Sequence, residues 1–161
     1  MLKTIPWVDY FMGVAKLASL RSKDPHTQVG ACIVNSENKI VSVGYNGLPT
    51  GLKEENYPWQ EINGQLHETK YAYVVHAELN AILNTNRNSS LKGTTIYTTL
   101  FPCNECVKAI IQAGIKKIVY LEDKYQSSPP IIAARKMLDD AGIIYVQVAF
   151  ENIEIKWKSL S

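Results

Sequence analysis

The sequence predicts an α/β protein, a sheet with helices packed on its faces. Three observations predict it. After residue 75 the hydrophobic pattern alternates between the period of a helix and that of a strand. Before that point, two short β-branched runs flank a turn-rich tetrapeptide. The 161 residues, 46% of them apolar, suit a single domain over 1–161 with one core, and no repeat, low-complexity stretch or linker divides them.

The first helix is expected over 6–22. Pro6 suits an opening turn, and Trp7, Tyr10, Phe11, Val14, Leu17 and Ala18 recur on one face. Strands over 29–34 and 40–44 read as a hairpin around Asn35-Ser36-Glu37-Asn38. Residues 46–74 carry Gly, Pro, Asn and many charges without a period. A loop of that length in a small domain is usually functional, so it is expected to form part of a site wall. A helix over 76–85, a strand over 94–100, a helix over 102–113 and a strand over 117–121 follow. A helix over 130–141 and a strand over 143–150 complete the pattern.

Composition narrows the function. The net charge is +2 and the basic residues are scattered, which leaves no footprint for polymeric nucleic acid but permits a small anionic ligand. No run approaches the roughly 18 apolar residues of a membrane span, and the N-terminal stretch lacks the h-region of a signal peptide. The expectation is a cytoplasmic protein with no membrane partner. Three cysteines give no disulfide framework, and in a reducing compartment the close pair Cys103 and Cys106 favours metal binding.

Two motifs carry the chemistry: His76-Ala77-Glu78, and Pro102-Cys103-Asn104-Glu105-Cys106. Positions two apart lie about 200° around a helix, so His76 and Glu78 converge on one point only at a helix N-terminus. Cys103 and Cys106 share a helical face, and Pro102 suits a first turn, so this pair belongs at another N-terminus. The positive ends of both helix dipoles favour thiolates there. His76, Cys103 and Cys106 as three ligands leave the fourth tetrahedral position of Zn²⁺ open to water, as a catalytic site requires, and leave Glu78 free to move protons. The combination is the H-x-E…P-C-x-x-C signature of zinc deaminases. Cys32 is expected to be a buried strand thiol, and His26 and His67 to be solvated.

With those motifs, the segments RSKDPHTQVGACIVNSENKIVSVGYNGLPTG (21–51), YVVHAELNAIL (73–83) and LFPCNECVKAIIQAGIKKIVYLEDKY (100–125) resemble the deoxycytidylate (dCMP) deaminases of the cytidine/deoxycytidylate deaminase family. The resemblance covers most of residues 10–150. It implies a cytidine-deaminase-like α/β/α sandwich, with a five-stranded mixed sheet and helices on both faces. It also implies one catalytic Zn²⁺ and hydrolysis of dCMP to dUMP and ammonia, which supplies dUMP for thymidylate synthesis. A homohexamer activated by dCTP and inhibited by dTTP, with Mg²⁺ accompanying the effector, belongs to the same expectation. By resemblance, Asn46 contacts the nucleotide near its sugar, and the backbone N–H of Ala77 faces the base O2. Ser22, Lys23, Lys124 and Tyr125 lie in segments expected to border the pocket mouth, where a phosphate needs donors. Gly44, Gly47 and Gly51, with Arg87, are the residues available to a triphosphate effector. Family members with a second, structural zinc have a cysteine where this chain has Lys23, Asp24 and Pro25. No cysteine lies in 46–74 either, so no second zinc is expected.

In the expected chemistry Glu78 takes a proton from water, gives it to N3 of cytosine as hydroxide attacks C4, and then shuttles a proton to the departing amine. The alternatives are a free cytidine or deoxycytidine deaminase, against which the long 46–74 segment argues, and a tRNA adenosine deaminase, which the mild charge fits poorly. A guanine-type deaminase stays open on spacing alone. A non-enzymatic, zinc-stapled interaction domain is the remaining reading, and it gives Glu78 no task.

Overall fold

A computed structural model describes residues 4–62 and 64–149. The elements are α1 (Trp7–Ser19), β1 (Gly30–Val34), β2 (Ile40–Tyr45), α2 (Ala77–Leu83), β3 (Thr95–Leu100), α3 (Asn104–Gln112), β4 (Lys117–Glu122), α4 (Pro129–Asp140) and β5 (Ile144–Gln147). Each expected element is present; most are shorter at one or both ends, whereas β2 and β4 each run one residue further than expected and α4 begins one residue earlier. The first helix stops at Ser19 because Leu20, Arg21 and Ser22 donate to carbonyls three residues back, tightening the last turn and ending the α-helical ladder. The last strand ends at Gln147, and Phe150, its expected final residue, lies outside the described residues.

The five strands run in the order β2-β1-β3-β4-β5. β1 pairs antiparallel with both β2 and β3, while β3, β4 and β5 are parallel, so the sheet is mixed. The strand period of two divides the side chains between two apolar layers. Ala31, Ile33, Ile96 and Ile118 point to the layer that holds α2, α3 and α4, where Ile110 is fully buried. Cys32, Val34, Tyr97 and Val119 point to the other, against Phe11, Met12 and Ala15 of α1. Helices therefore cover both faces. Ile111, beside Ile110, is half-buried against the first layer.

One glycine fixes where α2 can lie. A Cβ built on Gly44 would come within 2.4 Å of Ala77 O and 2.3 Å of Ala81 N, both helix backbone atoms that cannot swing aside. Gly44 thus allows α2 to rest directly on β2, and Ser42 Oγ donates to Ala81 O at 2.6 Å on the same contact. This packing sets the position of the helix start that carries His76.

The segment 46–74 is more ordered than its composition suggests. It contains 3₁₀ turns at Glu54–Asn56, Leu66–Glu68 and Lys70–Ala72. An antiparallel bridge between Gly47 and Val75 closes it just before His76. No described helix is long and apolar enough to cross a membrane.

Candidate metal centre and active site

His76 and Cys103 are the N-caps of α2 and α3, so both helix starts meet at one point. His76 Nδ1 lies 3.3 Å from Cys103 Sγ and 3.5 Å from Cys106 Sγ. The three ligand atoms all fall within 4.8 Å of one another, the only such cluster among the described residues. The donor set fits zinc. With Zn–S near 2.3 Å and Zn–N near 2.0–2.1 Å, a tetrahedral ion needs its nitrogen and sulfur ligands roughly 3.6 Å apart. The observed separations match that edge without rearrangement.

The same geometry sets the proton affinities. The hydrogen bond from Cys106, joined by His76, outweighs burial and brings the Cys103 thiol down to about 4. Cys106 moves the other way, as the donor in that pair and a buried neighbour of Glu78. The bond to Cys103 raises His76. Cys103 is thus the readier of the two thiols to ionise, and metal binding displaces the protons of its ligands.

Glu78, buried in the first turn of α2, is not one of the three ligands but lies beside them, with Oε2 3.4 Å from Cys106 Sγ. Burial pushes its carboxyl up, against the pull of His76 and a hydrogen bond from Thr98. A carboxyl whose proton affinity is raised by burial in this way is suited to carrying a proton. Ala77 is the first residue of α2, where a helix leaves its N–H without an intrahelical partner, and that donor is free for a ligand.

The remaining expected residues divide into separate groups. Asn46 is buried: Oδ1 accepts from Val29 N at 2.8 Å, and Nδ2 donates to Thr27 O at 2.9 Å and Asp24 Oδ2 at 3.3 Å. Ser22 is buried too, its Oγ accepting from Asp24 N at 3.3 Å. Lys23 is paired with Glu54 and lines a cavity of about 250 Å³ with Arg21, Gly47 and Gly51. Lys124 is paired with Glu122 at 2.8 Å and borders a different cavity, of about 220 Å³, with Lys16 and His26. Tyr125 is exposed. Lys23 and Lys124 thus face different cavities. Gly44 is committed to helix packing, whereas Gly47 and Gly51 line the first of these cavities and Arg87 is exposed. Cys32 is a fully buried strand thiol, pushed up to about 12 by burial, and His26 and His67 are exposed as expected.

Two contributors escaped sequence reasoning. Thr98 of β3 is fully buried, with its hydroxyl 2.8 Å from Glu78 Oε1. Nothing in the TIYTTL strand distinguishes it from its threonine neighbour at 99. Lys70 is buried in the long loop, its ammonium 2.8 Å from Asp24 and 2.6 Å from Glu61. A lysine in a polar loop reads as solvated, and only the fold reveals its partners. This ion pair joins the segment after α1 to the long loop.

Comparison with known proteins gives a consistent picture. Residues 5–122 match the family model described as the cytidine and deoxycytidylate deaminase zinc-binding region. The chain is 53% identical over 141 residues to the deoxycytidylate deaminase of Homo sapiens, covering 88% of this chain and 79% of that protein. It is 53% identical over 144 residues to the probable deoxycytidylate deaminase of Drosophila melanogaster, covering 86% and 70%. Among solved structures it resembles the dCMP deaminase of cyanophage S-TIM5 in complex with dCMP and dUMP. That likeness has a TM-score of 0.71 at 26% identity and covers 91% of this chain and all of that one. The paired helix starts, the three ligands with a spare carboxylate and these relationships lead to one conclusion: the chain belongs to the cytidine and deoxycytidylate deaminase family.

Proposed function

We propose that the chain catalyses zinc-dependent hydrolytic deamination of dCMP to dUMP and ammonia. The observation that carries this reading is Glu78, a buried carboxyl with Oε2 3.4 Å from Cys106 Sγ, left outside the His76–Cys103–Cys106 ligand set. Zinc held by these three residues supplies Lewis acidity, lowering the pKa of water from 15.7 to about 7.

The chain's own residues do the rest. Glu78 accepts the water proton and delivers it to N3 of the cytosine ring as hydroxide adds to C4. It then takes the proton of the new C4 hydroxyl and passes it to the amine, so that ammonia leaves as the C4 carbonyl forms. Proton transfer of this kind contributes about 10²–10⁴-fold. The free N–H of Ala77 receives the base O2. Asn46 Oδ1 uses one acceptor position on Val29 N, and the other is open to a sugar hydroxyl. The 5′-phosphate lies toward the cavity bordered by Lys16, His26 and Lys124, with Tyr125 nearby in the chain and Ser22 shaping the adjoining loop.

Regulation is the finer part of the reading. The cavity of about 250 Å³ beside the Gly-rich loop offers Arg21, Lys23 and the backbone of Gly47 to a triphosphate, supporting dCTP and dTTP, with Mg²⁺, as effectors of a homohexamer. Each effector then stabilises one of two states, and a coupling of about 1–3 kcal/mol changes dCMP affinity roughly 5–150-fold.

Rates with dCMP, deoxycytidine and cytidine, each with and without dCTP or dTTP, test both parts. dCMP alone should turn over well, since donors built for a phosphate are left unpaired when it is missing. Equal kcat/KM for dCMP and deoxycytidine would overturn the nucleotide reading. Hyperbolic dCMP kinetics indifferent to both triphosphates would overturn the regulatory one.

A further inference from the structure

We infer that Lys70 is a positioning residue for nucleotide binding: its ammonium latches the long loop onto Asp24, and through Asp24 fixes Asn46. The inference rests on the reading of Asn46 as a nucleotide contact. It starts from a hub. Asp24 is 4% exposed and makes five contacts to three kinds of partner. Its Oδ1 accepts from the backbone N–H groups of His26 (2.9 Å) and Thr27 (3.1 Å), and from Lys70 Nζ at 3.0 Å. Its Oδ2 accepts from Lys70 Nζ at 2.8 Å and Asn46 Nδ2 at 3.3 Å.

Lys70 is 5% exposed and reaches Glu61 as well, at 2.6 Å, so one cation joins three segments: the turn after α1, the strand end at Asn46, and the loop itself. The backbone of Lys70 extends the connection. Its N–H donates to Gln60 O, and its carbonyl accepts from Tyr73 and Val74 N–H, immediately before the Gly47–Val75 bridge and the ligand His76.

Charge makes the ammonium indispensable to this arrangement. A buried carboxylate that loses its cation is left with an uncompensated charge, which is strongly destabilising and drives either protonation or exposure to water. Protonation in place weakens the bond that Asp24 accepts from Asn46 Nδ2. Asp24 reaches water by opening the 22–28 turn. That movement would release the Thr27 carbonyl that orients Asn46 Nδ2. The carboxamide would then be held by the single bond from Val29 N and could tilt, misaligning the acceptor it offers to the sugar. Losing Lys70 therefore degrades binding orientation while leaving the ligands and Glu78, held by α2 and α3, in place.

The experiment compares the zinc-loaded enzyme with its Lys70→Met, Lys70→Arg and Asn46→Ala variants. It reads zinc content, kcat, KM for dCMP and the rate of proteolysis within 46–69. Lys70→Met should retain one zinc, raise KM about tenfold or more with kcat changed less than about threefold, and speed cleavage of the loop; Lys70→Arg should restore part of the KM. Combining Lys70→Met with Asn46→Ala should be no worse than the more damaging single change, because both act through one contact. If Asn46→Ala raises KM and Lys70→Met does not, the latch is wrong and the reading of Asn46 survives. If Asn46→Ala leaves KM unchanged, that reading fails and takes the latch with it. Should Lys70→Met fail to fold, Glu61→Gln, altering the more exposed arm of the same cation, carries the test: a raised KM with faster loop cleavage supports the latch, and no change in either overturns it.

Discussion

The hydroxyl of Thr98 sits 2.8 Å from Glu78 Oε1 and 3.0 Å from the carbonyl oxygen of Leu100. With one proton it can serve both states of the glutamate. It donates to the carboxylate when Glu78 is ionised, and when Glu78 is protonated it accepts from the acid while donating to Leu100. Thr98→Val keeps the shape and removes this adjustment. A lost hydrogen bond to a charged group costs about 1.5–3 kcal/mol, so kcat should fall roughly 10–100-fold. Zinc content should be unchanged and Thr98→Ser should retain most activity, as steady-state kinetics and metal analysis will read.

Glu78 and Cys103 lie in the same cluster but should fail differently. Glu78→Gln preserves size and all three ligands, so zinc and fold should persist while kcat drops by about 10²–10⁴-fold or more, the contribution of general acid–base work. Cys103→Ala removes a ligand, and because metal binding is coupled to folding it should lose zinc and lower the melting temperature together. Calorimetry with metal analysis separates the two. Near-wild-type turnover in Glu78→Gln would remove the proton-carrier role.

The Asp24–Lys70 pair should leave a signature in the pH dependence of stability. Burial alone would raise Asp24, but Lys70 and the backbone N–H groups of His26 and Thr27 outweigh it and hold the carboxyl below its ordinary value. Its contribution is therefore full above the unfolded pKa and is lost as pH falls through the lower folded one. Burial lowers Lys70, and its two carboxylate partners overcome that and raise it, so its contribution is full below the unfolded pKa and is lost as pH climbs through the higher folded value. Asp24→Asn should cost about 3–5 kcal/mol, as does breaking a buried pair. In urea titrations the deficit should stay level from about pH 5 to about pH 9 and begin to narrow below about pH 4, where the unfolded carboxyl takes up a proton before the folded one does.

Gly44→Ala tests the placement of the metal centre through packing alone. The new Cβ would press on the backbone of Ala77 and Ala81, and α2 must move. Overpacking of this kind costs about 1–3 kcal/mol. The expected outcome is lower stability together with weaker zinc retention, since His76 caps the displaced helix, and competition with a chelator measures the latter.

Local patterns made much of this legible in the sequence. Every helix and strand could be located because apolar period is a property of neighbouring residues, and His76, Cys103 and Cys106 were found because their chemistry needs helix starts that proline and spacing announce. Lys70 and Thr98 were not, because their roles depend on partners 46 and 20 residues away. Lys23 and Lys124 were grouped by charge and then separated by topology: one lies beside the β2 end of the sheet and the other follows β4. Helix ends were overextended where 3₁₀ bonds, invisible to periodicity, close the last turn.

The most direct measurement is the product formed from dCMP by the zinc-loaded chain, followed by loss of cytosine absorbance with dUMP and ammonia quantified, alongside Glu78→Gln carrying equal zinc. The account predicts one dUMP and one ammonia for each dCMP consumed by the unmodified chain, and turnover lower by about 10²-fold or more in the variant. No dUMP from the zinc-loaded chain, or equal rates in the two proteins, would contradict it.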